Sequence, residues 1–505
     1  MLASRLNPPR AGKGFAFVLA DSHGQPAAED RKLIRSHVMR GKNTRKRAIP
    51  AAHKGRGSAV ALRTRGQERS VEGTGLPEES GEDRARCLTL HHDALPPYGH
   101  HHLGPTPLTA NAFPFVTFPE EIDKDARNML CIYFTRLKNT MYPIARYSRS
   151  DSSNTYWFDW TQLDLAYLHS ILFTTSFFYD NVQGHTSERT RYHSYRTIHE
   201  LNKQLAHAET AVTESTTTVV MAIALMAGCF GDTDSAHMHM MGLKRIVELH
   251  GGIQSYSSLP LLQAKLSRAG LIYSSCTGAE PVFLEGTPSY ESAFDHLPEL
   301  NQLKPLDVTC FSRSRALVRT FDRRLYNVFK DVQGLSRLVN DSYSSGHKIP
   351  EMALEGLLTS VQARLLSLKF DNNGENMAEL LRLSLIAYLT TVFWSLPGLK
   401  FDYPHLAAQF RQVCLGFSPT AAGEGECFAW ALTVGAISLF NGRGRDWLLQ
   451  ILQPLIRDHL GTTWAEVRKS LGHIMWIGSI HDGLASDLFR SYLGDTGTED
   501  VVAVE

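Results

Sequence analysis

The stretch Ala236-His-Met-His-Met-Met-Gly-Leu-Lys-Arg-Ile-Val-Glu-Leu-His-Gly-Gly-Ile253 decides the fold class. Met240, Leu243, Ile246 and Val247 recur at helical spacing, so one apolar stripe faces a core. Lys244 and Glu248 sit four apart on the solvent side, a pair worth about 0.2–0.5 kcal/mol. Gly251-Gly252 supplies the positive φ that ends a helix. Nothing in the segment can do chemistry.

Two further runs follow, Leu259-Pro-Leu-Leu-Gln-Ala-Lys-Leu-Ser-Arg-Ala-Gly-Leu271 and Gly278-Ala-Glu-Pro-Val-Phe283. A helix closed by Gly-Gly-Ile, a second helix ending near an Arg, and a Gly-x-x-Pro-x-Phe turn together resemble the fungal-specific transcription factor domain. That domain is a helical regulatory region usually found downstream of a zinc-cluster DNA-binding domain. The resemblance extends loosely from Phe113 to Phe489, and only 236–283 carries recognisable motif. It departs from the family pattern at Gly270, where an acidic residue is expected after Arg268. A second segment, Asp30-Arg-Lys-Leu-Ile-Arg-Ser-His-Val-Met-Arg40, is similar to the N-terminal part of fungal proteins that carry this helical region without a zinc cluster. The resemblance implies an all-α regulator in the nucleus, with partners among proteins of the transcription machinery or a small-molecule signal. It leaves room for a homo-oligomer.

Working outward, the chain reads as a large irregular helical array. Helical patterns run over Asp125–Met141, Leu163–Tyr179, Tyr192–Ala208, Thr216–Gly228 and His237–His250. They continue over Arg313–Val332, Met352–Leu368, Met377–Trp394, Phe428–Phe440, Trp447–His459 and Trp464–Ile480. Strand signals are sparse and no repeat of fixed period is visible. Pro288, Pro298 and Pro305 mark a candidate hinge within 284–310. We expect a mostly disordered basic arm and linker over 1–112, with a short helix near 31–40. The helical body is expected over 113–490, with a disordered tail over 491–505.

Charge is split along the chain. Residues 1–70 carry 16 Lys/Arg against 4 Asp/Glu, a net of +12, while the remainder carries a net of −11. Within that arm, Arg31, Lys32, Arg35, Arg40, Lys42, Arg45, Lys46 and Arg47 are the candidate nuclear-import or phosphate-contact residues. Clustered Lys/Arg fits an import signal, and the same charges release counterions from a nucleic acid in a salt-sensitive way. A solvated tail with no dedicated partner is the competing reading. Few aromatic residues interleave these charges, so base stacking on single strands is not supported.

Other chemistry finds little footing. The cysteines at 87, 131, 229, 276, 310, 414 and 427 never form a Cys-x-x-Cys pair, and a zinc cluster needs several closely spaced thiolates. Their scatter fits a reduced compartment. His91, His92 and His100 to His102 lie in a Pro/Gly-rich stretch, and His237 and His239 point in different directions on one helix, so no metal or cofactor is expected. There is no Gly-x-Ser-x-Gly elbow, no P-loop lysine motif and no Gly-x-Gly-x-x-Gly turn, so an enzyme is not expected. Gly442-Arg-Gly-Arg445 reads as a helix–helix turn, and Asp159, Asp164 and Asp322 as surface or capping residues. No apolar run reaches 18 residues, so a membrane span is not expected, and the N-terminus has no apolar h-region for secretion. The aromatic clusters Tyr156-Trp157-Phe158-Asp159-Trp160 and Phe177-Phe178-Tyr179 read first as core, and otherwise as lining of a ligand pocket or partner groove. The favoured function is a transcriptional regulator acting without a zinc cluster. The alternatives are an interaction scaffold that keeps the regulatory fold without DNA contact and, more remotely, an all-α enzyme.

Overall fold

In the computed structural model, residues 116–149, 155–229, 231–301, 313–370, 376–393 and 403–493 are described. The basic arm, all eight of its candidate residues and the loop histidines lie outside them. We number the helices of eight or more residues in chain order. The first group is α1 (Lys124–Ile132), α2 (Tyr156–Leu163), α3 (Leu165–Gln183), α4 (Glu188–Leu205), α5 (Glu214–Cys229), α6 (Thr233–His250) and α7 (Pro260–Thr277). The second is α8 (Arg323–Ser345), α9 (Glu351–Ser367), α10 (Asn376–Phe393), α11 (Pro404–Leu415), α12 (Glu424–Ser438), α13 (Asp446–Leu455), α14 (Trp464–Ile474) and α15 (Gly478–Leu493). Among the described residues the only strands are β1 (Ser148–Arg149) and β2 (Ile349–Pro350), paired in parallel. The fold class is all-α.

The opening segment forms α6 as its spacing requires. Met240, Leu243, Ile246 and Val247 are buried, Asp232 caps the start by accepting from Ser235 N, and Gly251 ends the helix at φ +110°. One local detail differs. Glu248 pairs at 3.3 Å with Arg245, the residue next to the expected Lys244, and both partners are exposed. Gly270, the departure from the family pattern, also has a packing reason. A Cβ there would approach the Phe283 ring to 3.0 Å, so the turn that ends in Phe283 closes directly onto this position.

Long-range hydrogen bonds explain where the helices break. The expected Trp464–Ile480 helix is instead α14 and α15, separated at Met475–Ile477. Gln333 Nε2 donates to Ile474 O at 2.7 Å, Trp430 Nε1 to Met475 O at 2.8 Å, and Asn340 Nδ2 to Trp476 O at 2.8 Å. Carbonyls freed from the ladder are thereby satisfied by side chains distant in sequence. His481 fastens the same corner: its Nδ1 accepts from Ile477 N, and its Nε2 faces Thr391 Oγ1 at 2.8 Å. Burial holds this imidazole in its neutral form, pushing its pKa down to about 3. The expected Arg313–Val332 helix likewise breaks, because the Asp322 side chain accepts from Arg324 N and starts α8 afresh. α7 runs on past Arg268 to Thr277, where the resemblance had placed the end of a helix near that arginine. α11, opening at Pro404, is not among the expected helices.

α3 packs on α4 and α5, and α5 on α6. α7 joins this first group to the second through α9 and α11, where α10 and the almost wholly buried α12 form the centre. One apolar cluster includes Leu137, Ile272, Phe294, Leu381, Trp430 and Phe489, so it continues on both sides of the candidate hinge. The proline-rich connection is fastened by a buried ion pair between α8 and α9. Arg364 donates to Asp331 Oδ2 at 2.6 Å and to Glu291 O at 2.9 Å. Asp331 also accepts from Ser292 Oγ at 2.6 Å and from Ala293 N at 2.8 Å. Both charged side chains are essentially inaccessible. Asp331→Ala would strand the guanidinium, and we expect a loss of about 3–5 kcal/mol, measured by urea unfolding of the full chain.

A candidate ligand site between the first helices

The helix begun by α1 does not stay regular. Its ladder widens into a π-turn over Tyr133–Leu137, with Lys138 N reaching back to Tyr133 O, before a last α-turn over Lys138–Met141. Tyr133, Phe134, Lys138 and Met141 from this irregular stretch line a cavity with Tyr142 and Trp157. Tyr167, Ser170, Ile171 and Thr174 of α3, Met221 and Leu225 of α5, and Lys265 of α7 complete its wall. The cavity offers about 80 Å³ to the centres of water-sized atoms. A cavity needs at least about 10–15 Å³ to hold one water, so this one has room for several.

The wall is more apolar than its composition suggests. Ser170 Oγ donates to Tyr167 O, Thr174 Oγ1 to Ser170 O, and Thr218 Oγ1 to Glu214 O, each bonding its own helix. These hydroxyls are satisfied within their helices. The charged groups of the lining are the ammonium groups of Lys138 and Lys265.

Lys265 lies with its Nζ 4.2 Å from the Tyr142 ring centroid and 5.9 Å from that of Trp157, a cation–π geometry. On the other side of the two lysines is a second cavity of about 20 Å³, lined also by Ile144, Glu351, Leu354 and Glu355. Glu355 is ion-paired with Arg268, whose guanidinium lies 5.4 Å from the Tyr142 centroid. Among the described residues no carboxylate lies within 4 Å of either ammonium, so the nearby Glu351 acts on both at longer range.

Desolvation dominates the electrostatics. Burial, reinforced by the neighbouring Arg268, pushes the Lys265 ammonium down to about 7, with Glu351 opposing. Burial and then Lys265 lower Lys138 to about 8. Burial also raises the Tyr133 and Tyr167 hydroxyls, so both stay neutral. Arg268, lowered by burial to about 10, remains charged at neutral pH. The site is an aromatic chamber with two cations in its floor.

The aromatic clusters thus divide between roles. Trp157 lines the cavity, whereas Phe177 belongs to the core. Sequence reasoning missed Lys138, Tyr142 and Lys265. The one available signal was a lysine three residues before Arg268 in a helix whose other positions are almost all apolar or small. Among the described residues, the others singled out hold structure. His237 meets the Tyr273 hydroxyl while His239, lowered to about 4 by burial, points elsewhere. Gly442–Arg445 is a 3₁₀ turn between α12 and α13. Asp164 caps α3, and Asp159 accepts from Thr155. Cys131, Cys276, Cys414 and Cys427 sit on four different helices.

Residues 128–467 match the fungal specific transcription factor domain, a stretch that contains every residue of both cavities. The chain belongs to that family. No curated protein and no solved structure matches it. The family is a regulatory one, and among the described residues no helix is long and apolar enough to cross a membrane.

A half-buried lysine whose ammonium is desolvated costs stability while it is charged. With the folded-state pKa of Lys265 near 7 and an unfolded value near 10.5, the cost is full below pH 7 and fades as pH rises towards 10.5. Lys265→Met is therefore expected to stabilise the protein by about 1–4 kcal/mol at pH 7. The advantage should shrink steadily between pH 7 and pH 10, followed by chemical denaturation at each pH.

Proposed function

We propose that the chain is a fungal transcriptional regulator whose helical body receives a signal or partner and whose basic arm brings it to the nucleus and to DNA phosphates. Membership of the regulatory family over 128–467 carries this reading. The chamber beside Lys138 and Lys265 gives the body a place where a small molecule can act. The charge split supports the role of the arm, since 13 Lys/Arg against one acidic residue lie between Arg31 and Arg69. The cysteines of this sequence lack the close spacing of a zinc cluster, which supports assigning phosphate contact to Arg31, Lys32, Arg35, Arg40, Lys42, Arg45, Lys46 and Arg47. The proteins it meets in the nucleus would be those of the transcription machinery.

Chromatin occupancy and cellular location test the proposal together. Replacing the eight arm residues by Gln should abolish nuclear accumulation. With an unrelated import signal attached, the same variant should regain the nucleus but lose most promoter occupancy. Unchanged occupancy in that rescued variant would make the protein a scaffold held to promoters by its helical body. Absence of the intact protein from chromatin would overturn the regulator reading.

A further inference from the structure

The larger cavity combines features that rarely coincide in a protein interior. It is walled by aromatic and aliphatic side chains, its serine and threonine hydroxyls are turned back to their own helices, and its floor holds two lysines. Ammonium groups in apolar surroundings normally acquire a carboxylate. Here the nearest acids lie on the far side of the floor. Glu355 is taken by Arg268, and Glu351 is farther than 4 Å from both lysines. With Lys138 and Lys265 both protonated, three cations, counting Arg268, face two carboxylates, Glu351 and Glu355. The tyrosine hydroxyls of the site add no negative charge, since burial holds them neutral.

We propose that this cavity binds a small organic monoanion, a carboxylic acid with a compact apolar body, whose carboxylate sits between Lys138 and Lys265 and whose body lies against Tyr142 and Trp157. The negative charge of the ligand balances the site when both lysines are protonated, and an anion between them favours that state. Its body matches the wall, and a compact body suits a cavity of about 80 Å³. A carboxylate in the chamber forms charge-assisted hydrogen bonds that an uncharged analogue cannot reproduce. A dication would meet two ammonium groups, and a purely apolar ligand would leave both unpaired. The proposal rests on the reading that the helical body receives a signal, and it names the chemistry of that signal.

The test uses the purified full chain with benzoate, hexanoate and 4-methylpentanoate, each beside its primary amide, by calorimetry and ligand-observed NMR. At least one acid should bind, and at least tenfold more tightly than its amide. Lys265→Met should bind that acid at least tenfold more weakly while unfolding at no lower a temperature than the natural chain. Lys244→Met, on the exposed face of α6, should bind like the natural chain. Acid and amide binding alike, undiminished binding by Lys265→Met, or no binding of any of the three acids would overturn the proposal. These readouts need no promoter, so a failure here leaves the regulator reading to be judged on chromatin occupancy alone.

Discussion

The fold turns on one buried ion pair. Asp331 and Arg364 face each other from α8 and α9 where water is excluded, and such a pair is tolerable only when its remaining donors and acceptors are also satisfied. They are satisfied by the proline-rich connection, through Ser292, Ala293 and the carbonyl of Glu291. The pair therefore fixes three pieces of chain at once. From that point α8 sends Gln333 and Asn340 to the corner between α14 and α15, while α9 sends Glu355 to Arg268 on α7. The candidate site lies two steps from the pair, reached through α9 and α7. Its acidic backing is held in place by the same helix that carries Arg364.

The lysine floor shows how stability and function pull apart in this molecule. Lys265 would be better replaced, as far as folding is concerned, by an apolar side chain of similar length. Stacking on Tyr142 recovers part of the desolvation cost, but the lowered pKa shows that the rest remains. A residue that opposes folding and lines a cavity is a candidate for binding. The two buried arginines differ from it, because each has a carboxylate: Asp331 for Arg364 and Glu355 for Arg268.

Much of the fold was legible where the cause is local. α6 announced itself through the spacing of Met240, Leu243, Ile246 and Val247 and through the Gly251 stop, because a helix is written by neighbours within a turn. The Trp464–Ile480 break was not legible, since the groups that permit it sit at Gln333, Asn340 and Trp430, with no local trace. The site was hidden for a similar reason. Lys138 and Lys265 are far apart in the chain, and only the tertiary fold brings them to the lining of one cavity. The aromatic cluster at Tyr156–Trp160 hinted at a pocket, yet only Trp157 of that group lines it. The arm can be read from charge alone, because a run of Lys and Arg needs no fold to be positive.

The π-turn at Tyr133–Leu137 sets the face on which the residues after it fall. A π-turn is an α-helix carrying one surplus residue. Each residue advances a helix by about 100°, so one insertion swings everything after it to a new face while leaving the earlier turns in register. Lys138, Met141 and Tyr142 all follow the surplus residue. α1 and its π-turn both pack on α3, so removing the surplus residue would turn Lys138 and Tyr142 by about 100° relative to that helix.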